Sequence, residues 1–116
     1  MLQKEFDELC KQIAIDRRQI VEVKKPEYTE GHEDVLWNFK QTAHELNLDP
    51  MQVAYIFFRK HVASIGQVCS NRNRNSSELF MHRISDAMNY LELIYALYNE
   101  GQDVGAISIA ELSSLY

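Results

Sequence analysis

Apolar residues recur along most of this chain at helical spacings, and the interruptions between them divide it into four segments and a tail. In the first segment Leu2, Phe6, Leu9, Cys10, Ile13 and Ile20 follow one another at intervals of three, four and seven, with charged residues between them. That is the stripe of an amphipathic helix, and it predicts helix over residues 2–22. Lys24, Lys25 and Pro26 then break the pattern, so the run KKPEYTEGHED is expected to be a surface loop. From Glu33 the spacing of Val35, Leu36, Phe39, Ala43 and Leu46 restores a helical period, which ends at Asn47. Asp49 and Pro50 supply an N-cap and a first helical residue for the next element.

A third helix is predicted over residues 50–65, with the core run MQVAYIFF followed by the polar cluster Arg59, Lys60 and His61. Lys60 falls on the line of Val53, Phe57 and Ser64, so its stem should lie along apolar surface while its ammonium reaches outward. The stretch GQVCSNRNRNSS reads as a flexible connection, in which Arg72 and Arg74 either meet phosphate or are solvated. Asn75 and Glu78 resemble a capping box for a fourth helix over 78–101, which Gly101 would stop. In the tail, Ser108 and Glu111 form a further S-x-x-E signature ahead of Leu112 and Leu115, predicting a short terminal helix.

The fourth helix is apolar nearly all round. Phe80, Ile84, Ala87, Met88, Leu91, Ile94, Tyr95 and Tyr98 gather on one face, and Leu79, Tyr90, Leu93 and Leu97 flank Asp86 on the other. Both faces are expected to be buried. A carboxylate among such neighbours needs an ion pair, hydrogen bonds or a metal. His82, Arg83 and Asn89 share the side of the helix that carries Asp86.

Composition narrows the field. With 116 residues and 46% hydrophobic content, one all-α folded unit spanning residues 1–116 is expected. The 12 basic residues against 17 acidic ones give a net charge of −5, which argues against a broad grip on nucleic acid or an anionic membrane. No apolar run approaches the roughly 18 residues of a membrane span, and the first residues lack the apolar stretch of a signal peptide, so a cytoplasmic protein is expected. Cys10 and Cys69 have no metal-ligand spacing and read as ordinary thiols.

One arrangement of polar residues would make a site. Asp86 could take Mg²⁺, a hard cation held by carboxylate and phosphate oxygens, with a second acid from Glu30, Glu33 or Asp34. Lys60, His61 and Arg83, with Asn89 beside them, would then face substrate phosphate. The competing reading makes Glu33 and Asp34 partners of a helix dipole. No glycine-rich phosphate loop, G-x-S-x-G elbow or H-E-x-x-H zinc motif is present.

The pieces EYTEGHEDVLWNFKQTA, LDPMQVAYIFFRKHVASI and HRISDAMNYLELIYAL resemble small phage and prophage proteins related to the all-α nucleoside triphosphate pyrophosphohydrolases, the MazG-like group. The resemblance covers residues 28–100. It implies a bundle-like helical fold, commonly oligomeric, in which acids on antiparallel helices hold Mg²⁺ and a nucleoside triphosphate is cut to monophosphate and pyrophosphate. Catalytic members pair an E-x-x-E motif with E-x-x-D. Asp86 matches the final acid, but Arg83 stands where its preceding Glu belongs, and the acids near the place of the first motif are Glu30, Glu33 and Asp34.

Two functions follow. In one the chain handles nucleotides as a divergent Mg²⁺-dependent pyrophosphohydrolase, with Asp86 and Glu33 catalytic, Asp86, Glu33 and Asp34 on the metal, and Lys60, His61, Arg83 and Asn89 on the substrate. In the other it is a non-enzymatic phage accessory protein that binds a host or defence protein. The amount of apolar helix surface predicts at least a dimer, with the fourth helix near the interface.

Overall fold

A computed structural model describes residues 1–29, 32–70 and 77–101, with the side chains of 23–29, 77 and 78 outside that description. Four helices make up the described chain: α1 (Gln3–Thr29), α2 (Trp37–Leu46), α3 (Pro50–Ser70) and α4 (Ser77–Glu100). The all-helical class expected from the spacing is what the chain adopts, with no strand among the described residues. None of the described helices is long and apolar enough to cross a membrane. Glu30, Arg72, Arg74, the Asn75 cap and the helix expected near Ser108 and Glu111 lie outside the described residues.

Local chemistry sets the middle of the chain. Asn47 ends α2 in the left-handed region at φ 56°, a conformation its short polar side chain tolerates, and the Leu48 N–H donates to the Ala43 carbonyl at 2.9 Å. Two residues later Asp49 Oδ1 accepts the Met51 N–H at 2.8 Å, while Gln52 Oε1 accepts the Asp49 N–H at 3.0 Å. This reciprocal box starts α3 abruptly and turns the chain back on itself.

α3 packs most extensively on α4, α2 lies on α3, and α1 lies on α4 with a smaller touch on α2. The core sits where α2, α3 and α4 converge, on Leu36, Phe39, Ala43, Val53, Ala54 and Leu97. Phe39 is its centre, 6.2 Å from the Phe57 ring and edge-on to Tyr90 at 5.9 Å. Paired rings of this kind add to the area they bury.

Three boundaries differ from the expected ones. α1 continues through Lys24, Lys25 and Pro26 to Thr29. Proline's fixed φ suits a helix, and its cost is one i−4 hydrogen bond plus steric strain that a 27-residue helix absorbs near its end. α3 runs past Gly66 to Ser70, whose hydroxyl donates to the Gly66 carbonyl at 2.9 Å. α2 begins at Trp37 rather than Glu33, because Asp34 folds the chain into a turn first: its Oδ1 accepts the Leu36 N–H at 2.9 Å and its carbonyl accepts the Trp37 N–H at 3.1 Å.

α4 also departs from expectation in how it is covered. Its Asp86 side, with Tyr90, Leu93 and Leu97, faces the other helices. The opposite stripe is open: Met88, Leu91, Tyr95 and Tyr98 are exposed, up to 58% at Tyr95, and the Tyr95 and Tyr98 rings stack at 6.4 Å. Among the described residues, burial of both faces is not achieved.

Candidate functional site

Two polar residues of α4, Arg83 and Tyr90, reach α3, and each is placed by its position on the helix. Arg83, on the α3 side of Asp86, donates through Nη1 to the Ser64 carbonyl at 3.2 Å and to the Ser64 hydroxyl. Its guanidinium is thus spent on tying α4 to α3, which suits a planar group carrying several fixed donors. Two turns beyond Arg83, the Tyr90 ring lies 4.7 Å from His61 of α3, inclined by 34°. Burial pushes the Tyr90 phenol above its ordinary pKa, and the negative charge of Asp86 pushes it further. Asp86 itself is partly buried. Asp86, His61, Tyr90 and Arg83 therefore belong to one strip. Asn89 is partly buried on the opposite flank of Asp86 from Arg83, and Lys60 is exposed.

Asp34, one of the acids expected to join Asp86, stands elsewhere. Asp34 Oδ2 holds the Lys40 ammonium at 2.6 Å, and the same ammonium pairs with Glu100 at the far end of α4. Glu100 is fourteen residues beyond Asp86 on one helix, or about 21 Å. Allowing for the reach of each side chain, the Asp34 and Asp86 carboxylates stay at least about 7 Å apart, whereas two oxygens on one Mg²⁺ lie within about 4.2 Å. These two acids do not fit a shared ion. Asp34 serves instead as a turn former and ion-pair partner, and Lys40 with the Leu36 N–H holds its carboxyl below the usual carboxylate range. Glu33 is exposed in the turn ahead of α2. Among the described residues no group of three or more His, Cys, Asp or Glu side chains comes close enough to hold a metal.

The structure also assembles a place that the polar motifs did not indicate. A cleft of about 450 Å³ opens between α1 and the first turns of α4, lined by Leu9, Gln12, Ile13, Asp16, Gln19, Ile20, Met81 and His82. Gln12 Nε2 donates to Asp16 Oδ1 at 2.9 Å, and Arg17 Nη2 bridges to Glu92 Oε1 at 2.8 Å. The sequence signal was Asp16 itself, a carboxylate set in the apolar stripe between Ile13 and Ile20. Compared with known protein families, with curated proteins and with solved structures, the chain matches none of them.

Proposed function

We propose that this chain is a non-enzymatic helical scaffold that self-associates and binds a partner protein, the kind of accessory protein a phage directs at a host or defence component. The observation that supports this reading is the open stripe of α4. Met88, Leu91, Tyr95 and Tyr98 form a contiguous apolar row on a helix whose other side is already covered. Tyrosine and methionine are enriched at the centres of protein interfaces. A row of this size left exposed among the described residues marks an interaction surface. The use of Arg83 on Ser64 and of Asp34 on Lys40 points the same way, since one is occupied in holding α4 to α3 and the other in an ion pair at the start of α2.

A second reading, a divergent Mg²⁺-dependent nucleoside triphosphate pyrophosphohydrolase of the MazG-like kind, draws on one observation: an acid, an imidazole and a phenol meet between α3 and α4. Asp86 would then be the protein carboxylate on Mg²⁺. Titration with a panel of nucleoside triphosphates, with and without Mg²⁺, separates the two. The scaffold reading expects neither heat of binding nor pyrophosphate release, together with a mass above that of one chain in light scattering. Mg²⁺-dependent turnover that Asp86→Asn abolishes would overturn it.

A further inference from the structure

The stripe of α1 is a heptad seam. Leu2, Phe6, Leu9, Ile13, Asp16, Ile20 and Val23 follow at alternating intervals of four and three over three heptads, the spacing of a coiled-coil interface. The described residues cover only part of it. Ile13, Asp16 and Ile20 are partly buried toward α4, whereas Leu2, Phe6 and Leu9 are 70%, 50% and 45% exposed.

We propose that the open half of this seam is a self-association surface, on which α1 of a second copy packs antiparallel, Phe6 against Leu9 of its partner and Leu2 against Ile13. The inference rests on the reading that the chain self-associates, and it assigns the surface. Three features select a second copy. First, the seam is self-complementary: antiparallel pairing about a point between Phe6 and Leu9 matches its own apolar spacing. Second, charge permits close approach. Lys4, Asp7, Glu8 and Lys11 point away from the seam, where Glu8 pairs with Lys11 and Gln3 bonds Asp7. The positions flanking it are Gln3, Cys10 and Gln12, with Glu5 held by the Leu2 N–H at 3.1 Å. No like charges are forced together across the pair. Third, the seam runs into the cleft. Leu9 and Ile13 form part of its wall beside Met81, so Leu2 of the second copy arrives at its mouth. A four-layer seam is short, and the apolar wall of the cleft extends it. Antiparallel pairing also places the two α4 layers at opposite ends, out of each other's way.

Light scattering across a dilution series tests the surface, and spin-label distances test its direction. Phe6→Glu should weaken the dimer at least tenfold while leaving far-ultraviolet circular dichroism unchanged, since residue 6 is half exposed. Lys4→Glu, on the outer side, should leave the dimer intact. For direction, Arg18→Cys is labelled in a Cys10→Ser, Cys69→Ser background. In the antiparallel pair the two labels are 21 residues apart along the axis (18 + 18 − 15), or about 31 Å; a parallel pair holds them under about 20 Å. A dimer that survives Phe6→Glu but is lost in Leu91→Glu overturns the α1 surface and leaves self-association standing. A monomer at 100 µM or so overturns both. A short label distance overturns the direction.

Discussion

The contact between Arg83 and Ser64 decides whether this arginine belongs to the framework or to a site, and its energy can be worked out. Arg83 Nη1 makes two bonds to one residue of α3, to the carbonyl at 3.2 Å and to the hydroxyl. A hydrogen bond from a charged donor contributes about 1.5–3 kcal/mol, and partial exposure puts this one toward the lower end. Arg83→Met keeps most of the apolar stem and removes the donors, so the expected loss is about 1.5–2 kcal/mol. With a urea m value of about 1–3 kcal/mol/M for a chain of this size, the midpoint should fall by about 1 M. Because Ser64→Ala removes only the hydroxyl, the double mutant should cost less than the two single changes summed, by about 0.5–1 kcal/mol. Urea unfolding followed by circular dichroism measures all four corners of that cycle. Additivity within about 0.3 kcal/mol would mean that the hydroxyl contact does not form, and the argument that Arg83 is spent on α3 would lose its support.

Phe39→Ala empties the centre of the core and should cost about 3–5 kcal/mol, a large share of the 5–15 kcal/mol that holds a small domain together; a folded variant with an unshifted thermal midpoint would place the core elsewhere. Asp49→Ala removes the cap of α3 and should cost about 1 kcal/mol in the same assay. Lys40 lowers the Asp34 pKa, so the pair's contribution is present above the ordinary carboxylate range and fades as pH falls through the depressed value. Both groups are more than a third exposed, so the effect stays well under about 1 kcal/mol, but a carboxyl NMR titration should show the Asp34 midpoint rise in Lys40→Met. The Tyr90 phenol, raised chiefly by burial and also by Asp86, should ionise above the ordinary tyrosine value and favour the fold less as pH climbs past that value. Asp86→Asn should bring that ultraviolet-detected midpoint partway down.

The helices were legible where side chains act on their own neighbourhood. Asp49 and Pro50 fixed the start of α3, and Gly101 follows the last helical residue of α4, its N–H bonded to the Leu97 carbonyl at 3.1 Å. Pro26 and Gly66 misled, because a breaker's local cost of about 1–3 kcal/mol is overridden within a long helix. Two apolar faces on α4 could be read from its period, but which face the chain covers depends on where α1 and α3 pack, and nothing local records that. The site divided for the same reason. Asp86 and Arg83 were placed together because they share one helix, whereas the pairing of Asp34 with Lys40 and Glu100 joins elements whose docking no single segment encodes.

That three-way pairing bears on the order in which the molecule assembles. Lys40 and Glu100 are sixty residues apart in sequence, so closing their loop costs more chain entropy than joining neighbours such as α2 and α3. The contact is expected to form late, after α3 and α4 have found each other. A late contact leaves the folding rate alone and governs how fast the native state comes apart. Stopped-flow refolding of Lys40→Met should therefore match that of the parent, while its unfolding runs faster; the ammonium works as a latch on the finished structure, with no part in building it.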